Sequence, residues 1–189
     1  MPLNGIERFR WMNWALTVAL LLVLLSPGLS GNTRLEAQTV TEREIPTTPE
    51  GIVRQIYDLV SFEAGARPDW DKVRALFIPQ AVVVLRTSRD ATTVFSVEGF
   101  VNDFVTFIER TPAGESGFTE KILSMDSLVF GDIAHVLVLY EAHITGSPRQ
   151  PTQGVDSFSL IKKDGRWRIV AITNELPTAD RPIPAELRR

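Results

Sequence analysis

Three side chains in the C-terminal half have the types and spacing for proton-transfer chemistry: Glu141, His143 and Asp156. Glu141 and His143 stand two apart in Ile133–Ile144, a run whose period of two reads as a strand, and residues two apart on a strand share a face. A carboxylate beside an imidazole makes an acid–base pair, because the imidazole titrates near neutrality. Asp156 lies in a second strand candidate, Val155–Lys163, where it shares a face with Phe158 and Leu160 while Val155, Ser157 and Ser159 take the other. Burial among such neighbours raises a carboxyl's pKa and can keep it as a neutral donor. A purely structural reading stands beside this one. Glu141 and His143 sit close to Gly146 and Pro148, where solvent, Arg149 or Arg168 would satisfy them, and Asp156 would make a structural hydrogen bond.

Composition removes most other chemistries. The chain has no cysteine, which excludes disulfides, thiol catalysis and cysteine-ligated metal, and its two histidines, His135 and His143, are too few for a multi-histidine site. No metal and no cofactor are expected. Ser61, Ser88 and Ser96 lack a nucleophile-elbow context, and there is no glycine-rich phosphate loop. The net charge is −3, so the chain has no electrostatic footprint for nucleic acid. His135 reads as a surface or interface residue, and Trp167 as a core or dimer-face residue. Tyr57 and Trp70 read as core aromatics with hydrogen-bonded tips or as ligand-stacking groups.

The elements that must position these residues follow from periodicity. Thr47-Thr48-Pro49-Glu50 opens a helix with Thr47 as its cap, and Ile52, Ile56, Leu59 and Val60 recur at helical spacing. Asp69 caps a short second helix with Trp70, Val73, Leu76 and Phe77 on one side, stopped by Pro79. Ala81–Thr87 and Thr92–Phe95 read as strands. Ser96 caps a third helix carrying Phe100, Phe104, Phe107 and Ile108. Phe118–Met125, Ile133–Ile144, Val155–Lys163 and Arg166–Thr173 are four further strands, the last two joined by the tight turn Asp164-Gly165. Helices packed on one face of an antiparallel sheet define the α+β class. The Pro- and charge-rich tail, residues 177–189, is expected outside the core.

The N-terminus has the order of an export signal: Arg8 and Arg10, then Ala15 to Leu25, in which Thr17 alone is polar, then Ser26-Pro27-Gly28. Residues 1–37 are expected to be removed, with the cut after Ala37, leaving a periplasmic or secreted protein. The alternative is an uncleaved anchor over Trp11 to Leu29, the chain's one expected contact with a membrane. Residues 38–48 form a flexible lead-in, and residues 49–176 the domain.

Four stretches resemble the nuclear transport factor 2 (NTF2)-like superfamily, in its SnoaL-like branch. They are Asp69–Phe77, Gly131–Val136, Gly154–Phe158 and Asp164–Ile169. The resemblance implies a cone in which a curved antiparallel sheet wraps around three helices, with a pocket between them, often dimeric through its sheet. Alignment with one relative, ketosteroid isomerase, implies that Leu137, Leu139, Glu141 and His143 point into the cone along with Asp156, and that Val136, Val138 and Tyr140 form part of the outer face. In that relative a carboxylate base works with a Tyr and a protonated Asp. Asp156 matches the protonated Asp, the Tyr falls near Tyr57 or Asp58, and the base position falls on or near Leu85, which cannot abstract a proton. That isomerase activity is therefore not expected. The expectation is an exported domain binding a small, largely apolar ligand, with Tyr57, Trp70, Leu139 and Phe158 as ligand contacts. The alternatives are a cofactor-independent isomerase, dehydratase or hydrolase using Asp156, His143 and Glu141, or an interaction module using the outer sheet face.

Overall fold

Each long helix starts on a short polar side chain that takes up a free backbone N–H. In the computed structural model, which describes residues 46–88 and 91–188, α1 (Pro49–Val60) begins where Thr48 Oγ1 accepts the Gly51 N–H at 3.1 Å. Thr48 is the cap rather than Thr47. Pro49 occupies the first helical position, where its missing N–H is not needed, so the residue before it caps. After the two-residue strand β1 (Phe62–Glu63), Asp69 caps α2 (Trp70–Ala75). Phe77 leaves that helix and opens β2 (Phe77–Ser88), which contains Pro79 within an irregular stretch of the ladder. Then come β3 (Ala91–Ser96), α3 (Val97–Arg110) capped by Ser96, and the single turn α4 (Ala113–Ser116).

The second half is a meander of long strands: β4 (Gly117–Phe130), β5 (Ile133–Ile144), β6 (Thr152–Lys163) and β7 (Arg166–Glu175). The turn between β6 and β7 puts Asp164 at φ 52° and Gly165 at φ 74°, the pair of positive angles that a two-residue hairpin of this hand needs. The sheet order is β1-β4-β5-β6-β7-β2-β3, and every pairing is antiparallel except β2 with β7. The domain is α+β, with a curved, unclosed seven-stranded sheet and the helices against its inner face. The expected export segment, residues 1–37, lies outside the described residues.

Two features of this sheet set up the site. First, β4 carries a bulge: Ile122 pairs with Tyr140 and Ser124 with Leu139, so Leu123 is an extra residue. Before the bulge Phe118, Glu120 and Ile122 take the inner face; after it Met125 and Ser127 do, and Ser127 donates a hydrogen bond to Glu50 of α1. Second, β5 turns Ala134, Val136, Val138 and Tyr140 inward, into the core that holds Ile52, Val53, Ile56 and Tyr57 of α1 and Phe158 of β6. Its odd-numbered residues face out. Leu139 is buried there, but by the tail: Ile183 and Leu187 pack on Leu139, Leu123 and Val155. The Ser124 hydroxyl donates to the Leu187 carbonyl, beside a short 3₁₀ turn at Ala185–Arg188. The expectation that residues 177–189 stay outside the core is thus corrected. Two well-spaced apolar residues suffice to dock the segment on the outer face.

Candidate functional site

Between α1, α3 and the inner face of the sheet lies a cavity of about 310 Å³. Its walls are mostly apolar: Ile56 and Val60 from α1, Phe100, Phe104 and Phe107 from α3, and Phe118, Phe158 and Ile172 from the sheet. The α3 contribution follows from helical spacing, since residues three and four apart share one face. The rings meet edge to face; Phe104 packs at 5.7 Å from Phe118, with planes at 77°.

The polar groups of the cavity form one connected set. Tyr57 Oη donates to Asp156 Oδ2 at 2.6 Å. Asn174 Nδ2 donates to Asp156 Oδ1 at 2.7 Å and to Tyr140 Oη at 3.0 Å. Four elements supply it: α1, β5, β6 and β7. Tyr140 can take its place because Gly154 lies directly opposite it on β6; a Cβ there would stand 2.6 Å from the ring's Cζ. Glu120, half-buried in the same lining, makes no side-chain hydrogen bond or ion pair among the described residues. At the edge of the cavity Arg86 is held by Glu175 at 3.0 Å and by Thr92.

Burial governs the electrostatics. It pushes the Glu120 carboxyl up to about 8, with the Asp156 charge adding to the rise. It pushes Asp156 up to about 6, while the hydrogen bonds from Tyr57 and Asn174 hold it back. Both tyrosine hydroxyls are raised by burial and then by Asp156, so they stay protonated, Tyr57 donating to Asp156 and Tyr140 accepting from Asn174. Burial thus favours the neutral form of both carboxyls, and more strongly so for Glu120.

Of the residues singled out from the sequence, the cavity gathers Asp156, Tyr57 and Phe158. Glu141, His143 and Leu139 are placed outside it. They belong to the odd-numbered, outward set of β5, and Glu141 lies 4.0 Å from Lys121 on the neighbouring strand. The expected inward direction of that set is one residue out of phase, and the same slip wrongly assigns Val136, Val138 and Tyr140 to the outer face. Composition alone favours the observed phase, because the even set is Ala, Val, Val and Tyr while the odd set carries His135, Glu141 and His143. Trp70 is also outside the lining; it packs on Phe104 at 5.6 Å. His135 is exposed. Leu85 does line the cavity. Glu120, Tyr140 and Asn174 are site residues the sequence reading passes over. Phe118-x-Glu120-x-Ile122 was the available signal for the first, and Gly154 opposite the strand bearing Tyr140 for the second. Among the described residues no group of three or more His, Asp or Glu is placed to hold a metal ion.

Comparisons with known proteins place this geometry. No curated protein matches the chain. An NTF2-like protein of unknown function from Pseudomonas putida superposes with a TM-score of 0.55 at 10% identity, over 70% of this chain and 87% of that one. A protein of unknown function with a cystatin-like fold from Nostoc punctiforme gives 0.54 at 10%, over 69% and 89%. An NTF2-like protein with a cystatin-like fold from Novosphingobium aromaticivorans gives 0.53 at 14%, over 69% and 81%. At these identities the likeness is one of fold. Residues 55–173, more than half of the chain, match the family described as "Putative lumazine-binding". The chain belongs to that family, and its fold is the NTF2-like one.

Proposed function

We propose that this domain is a binding module that holds a small, largely apolar molecule in its cone. The observation that carries the reading is the cavity itself, about 310 Å³ of aromatic and aliphatic wall around one pre-paired polar cluster. That volume and composition are those of small-molecule sites. The family's description names lumazine, which makes lumazine the first compound to try. Native mass spectrometry of the protein taken from its native fraction tests the proposal. A retained small molecule, or lumazine binding that Leu85→Trp abolishes by filling the cavity, is the expected result. Protein that carries nothing and takes up no apolar probe would overturn it.

Glu120 and Asp156 favour a second reading, cofactor-independent acid–base catalysis, because two carboxyls with raised pKa values face the same cavity. Turnover lost in Glu120→Gln with binding retained would support it. We further propose that the chain is exported, on the strength of the Arg8–Gly28 pattern, and that two copies pair through the outer sheet face. The exposed apolar residues of that face support the pairing: Leu128 is 80% and Phe130 84% exposed, with Ile133, Leu137 and Ile161 beside them. Sequencing the mature N-terminus and sedimentation analysis test these two statements.

A further inference from the structure

We infer that the ligand of this cavity is an amphipathic organic cation, an apolar or aromatic body bearing one protonated nitrogen that pairs with Glu120. The inference rests on the binding reading above and names the ligand's chemical class.

Three observations converge on it. The charged side chains in the lining are Asp103, Glu120, Asp156 and Arg86. Arg86 is already paired with Glu175, a carboxylate it shares with Arg181, and the three carboxyls outnumber it in a mostly apolar space. Within that set the carboxyls differ in what they already hold. Both oxygens of Asp156 are occupied by Tyr57 and Asn174, whereas the Glu120 side chain has no hydrogen bond or ion pair among the described residues. A carboxyl in an apolar cavity without a protein partner is costly to keep charged, and a ligand cation removes that cost. Finally, the walls of the same cavity are aromatic: Phe104, Phe107 and Phe118 lie within 6 Å of one another, and Tyr57 and Tyr140 stand 6.0 Å apart. Such a cage attracts a cation and stacks its apolar body, while an anion would meet unscreened like charge. The acids do not converge as a metal site among the described residues.

The groups that face Glu120 from the surrounding elements are Tyr57, Tyr140 and Asp156, with Asp103 and Arg86 also in the lining. Of these Asp156 adds negative charge that raises the Glu120 pKa; the positive charge of a bound cation acts the other way and favours release of the proton. Binding of a cation should then strengthen as pH rises towards about 8.

The test uses the full-length chain and a matched pair of probes, 2-naphthylmethylammonium and its neutral counterpart 2-naphthalenemethanol, with affinities read by calorimetry. The expected result is a preference for the ammonium of about tenfold, which is about 1.4 kcal/mol. It should grow between pH 6 and 8, vanish in Glu120→Gln, and be lost together with all binding in Leu85→Trp. Equal affinity for the two probes, or a preference that Glu120→Gln and pH leave untouched, overturns the cation while the cavity reading stands. Binding of neither probe overturns both. Because the pH series is run on the unmodified protein, the inference stays testable if Glu120→Gln fails to fold.

Discussion

The two faces of β5 are made by alternate residues of one strand, yet they solve burial in different ways. Inward, Val136 and Val138 lead to Tyr140, whose hydroxyl joins the cluster with Asn174 and Asp156. Outward, Leu139 is covered by Ile183 and Leu187 from the far end of the chain, and beyond it Leu137 and Ile133 stay open to solvent. The inner face therefore spends specific hydrogen bonds on a space it leaves partly empty, whereas the outer face uses non-directional apolar contact. Chemistry belongs to the first, because preorganised polar groups in an apolar setting are what bind or activate a small molecule.

The contrast can be broken most severely at Asp156. Asp156→Ala leaves the Tyr57 hydroxyl and the Asn174 amide without their shared acceptor, and should cost about 2–4 kcal/mol, measured by chemical denaturation. A loss below about 0.5 kcal/mol would mean that the cluster adds little to the fold.

Leu187→Ala tests the outer face by the same measurement, with a loss of about 2 kcal/mol expected, the low end for a buried leucine, and the cavity unaltered. If it instead abolished probe binding, the two faces would not be separable.

Glu120→Gln sharpens the electrostatic difference, because its effect depends on pH. The carboxyl is at about 8 in the folded state against an ordinary 4.5, so the folded state binds more protons in that window. Its stabilising contribution is complete below about pH 4.5 and is lost as pH rises through about 8. The Gln variant should match the parent at pH 4.5 and melt higher at pH 9, roughly 3 °C for each kcal/mol relieved. A constant difference across the range would contradict the assignment.

The smallest effect on stability is expected at Phe130. Phe130→Glu on the open part of the outer face should change unfolding by less than about 0.5 kcal/mol. Sedimentation should nevertheless show weaker self-association, and an unchanged molecular mass would remove support for pairing through the sheet.

Local chemistry was the legible part of the sequence. Asp69 and Ser96 cap their helices, Asp164-Gly165 makes its hairpin, and Ile133–Ile144 is a strand with the expected ends. These follow from neighbours in sequence. What was not legible depended on phase or on distant contacts. Alternation on β5 offers two opposite faces, and taking the phase from likeness to a relative brought Glu141 and His143 inward in place of Tyr140. Asn174 lies one residue past the expected end of the last strand, and β7 runs on to Glu175. The β2–β7 pairing joins residues far apart in the chain, and no periodic signal in the Pro-rich tail reports where Ile183 and Leu187 dock.

The extra residue Leu123 has a meaning of its own when β4 is regarded as a reading frame. Alternation is a two-letter frame, in or out, and the bulge shifts it midway along the strand. Because of that shift, Glu120 can look into the cavity while Ser127 reaches Glu50. Loss of one codon here would leave every other side chain intact and still force a choice, either the helix anchored at Ser127 or the carboxyl kept inside. The place of Glu120 in the cavity is thus a one-residue trait, open to gain or loss in a single insertion or deletion while Asp156 stays where it is.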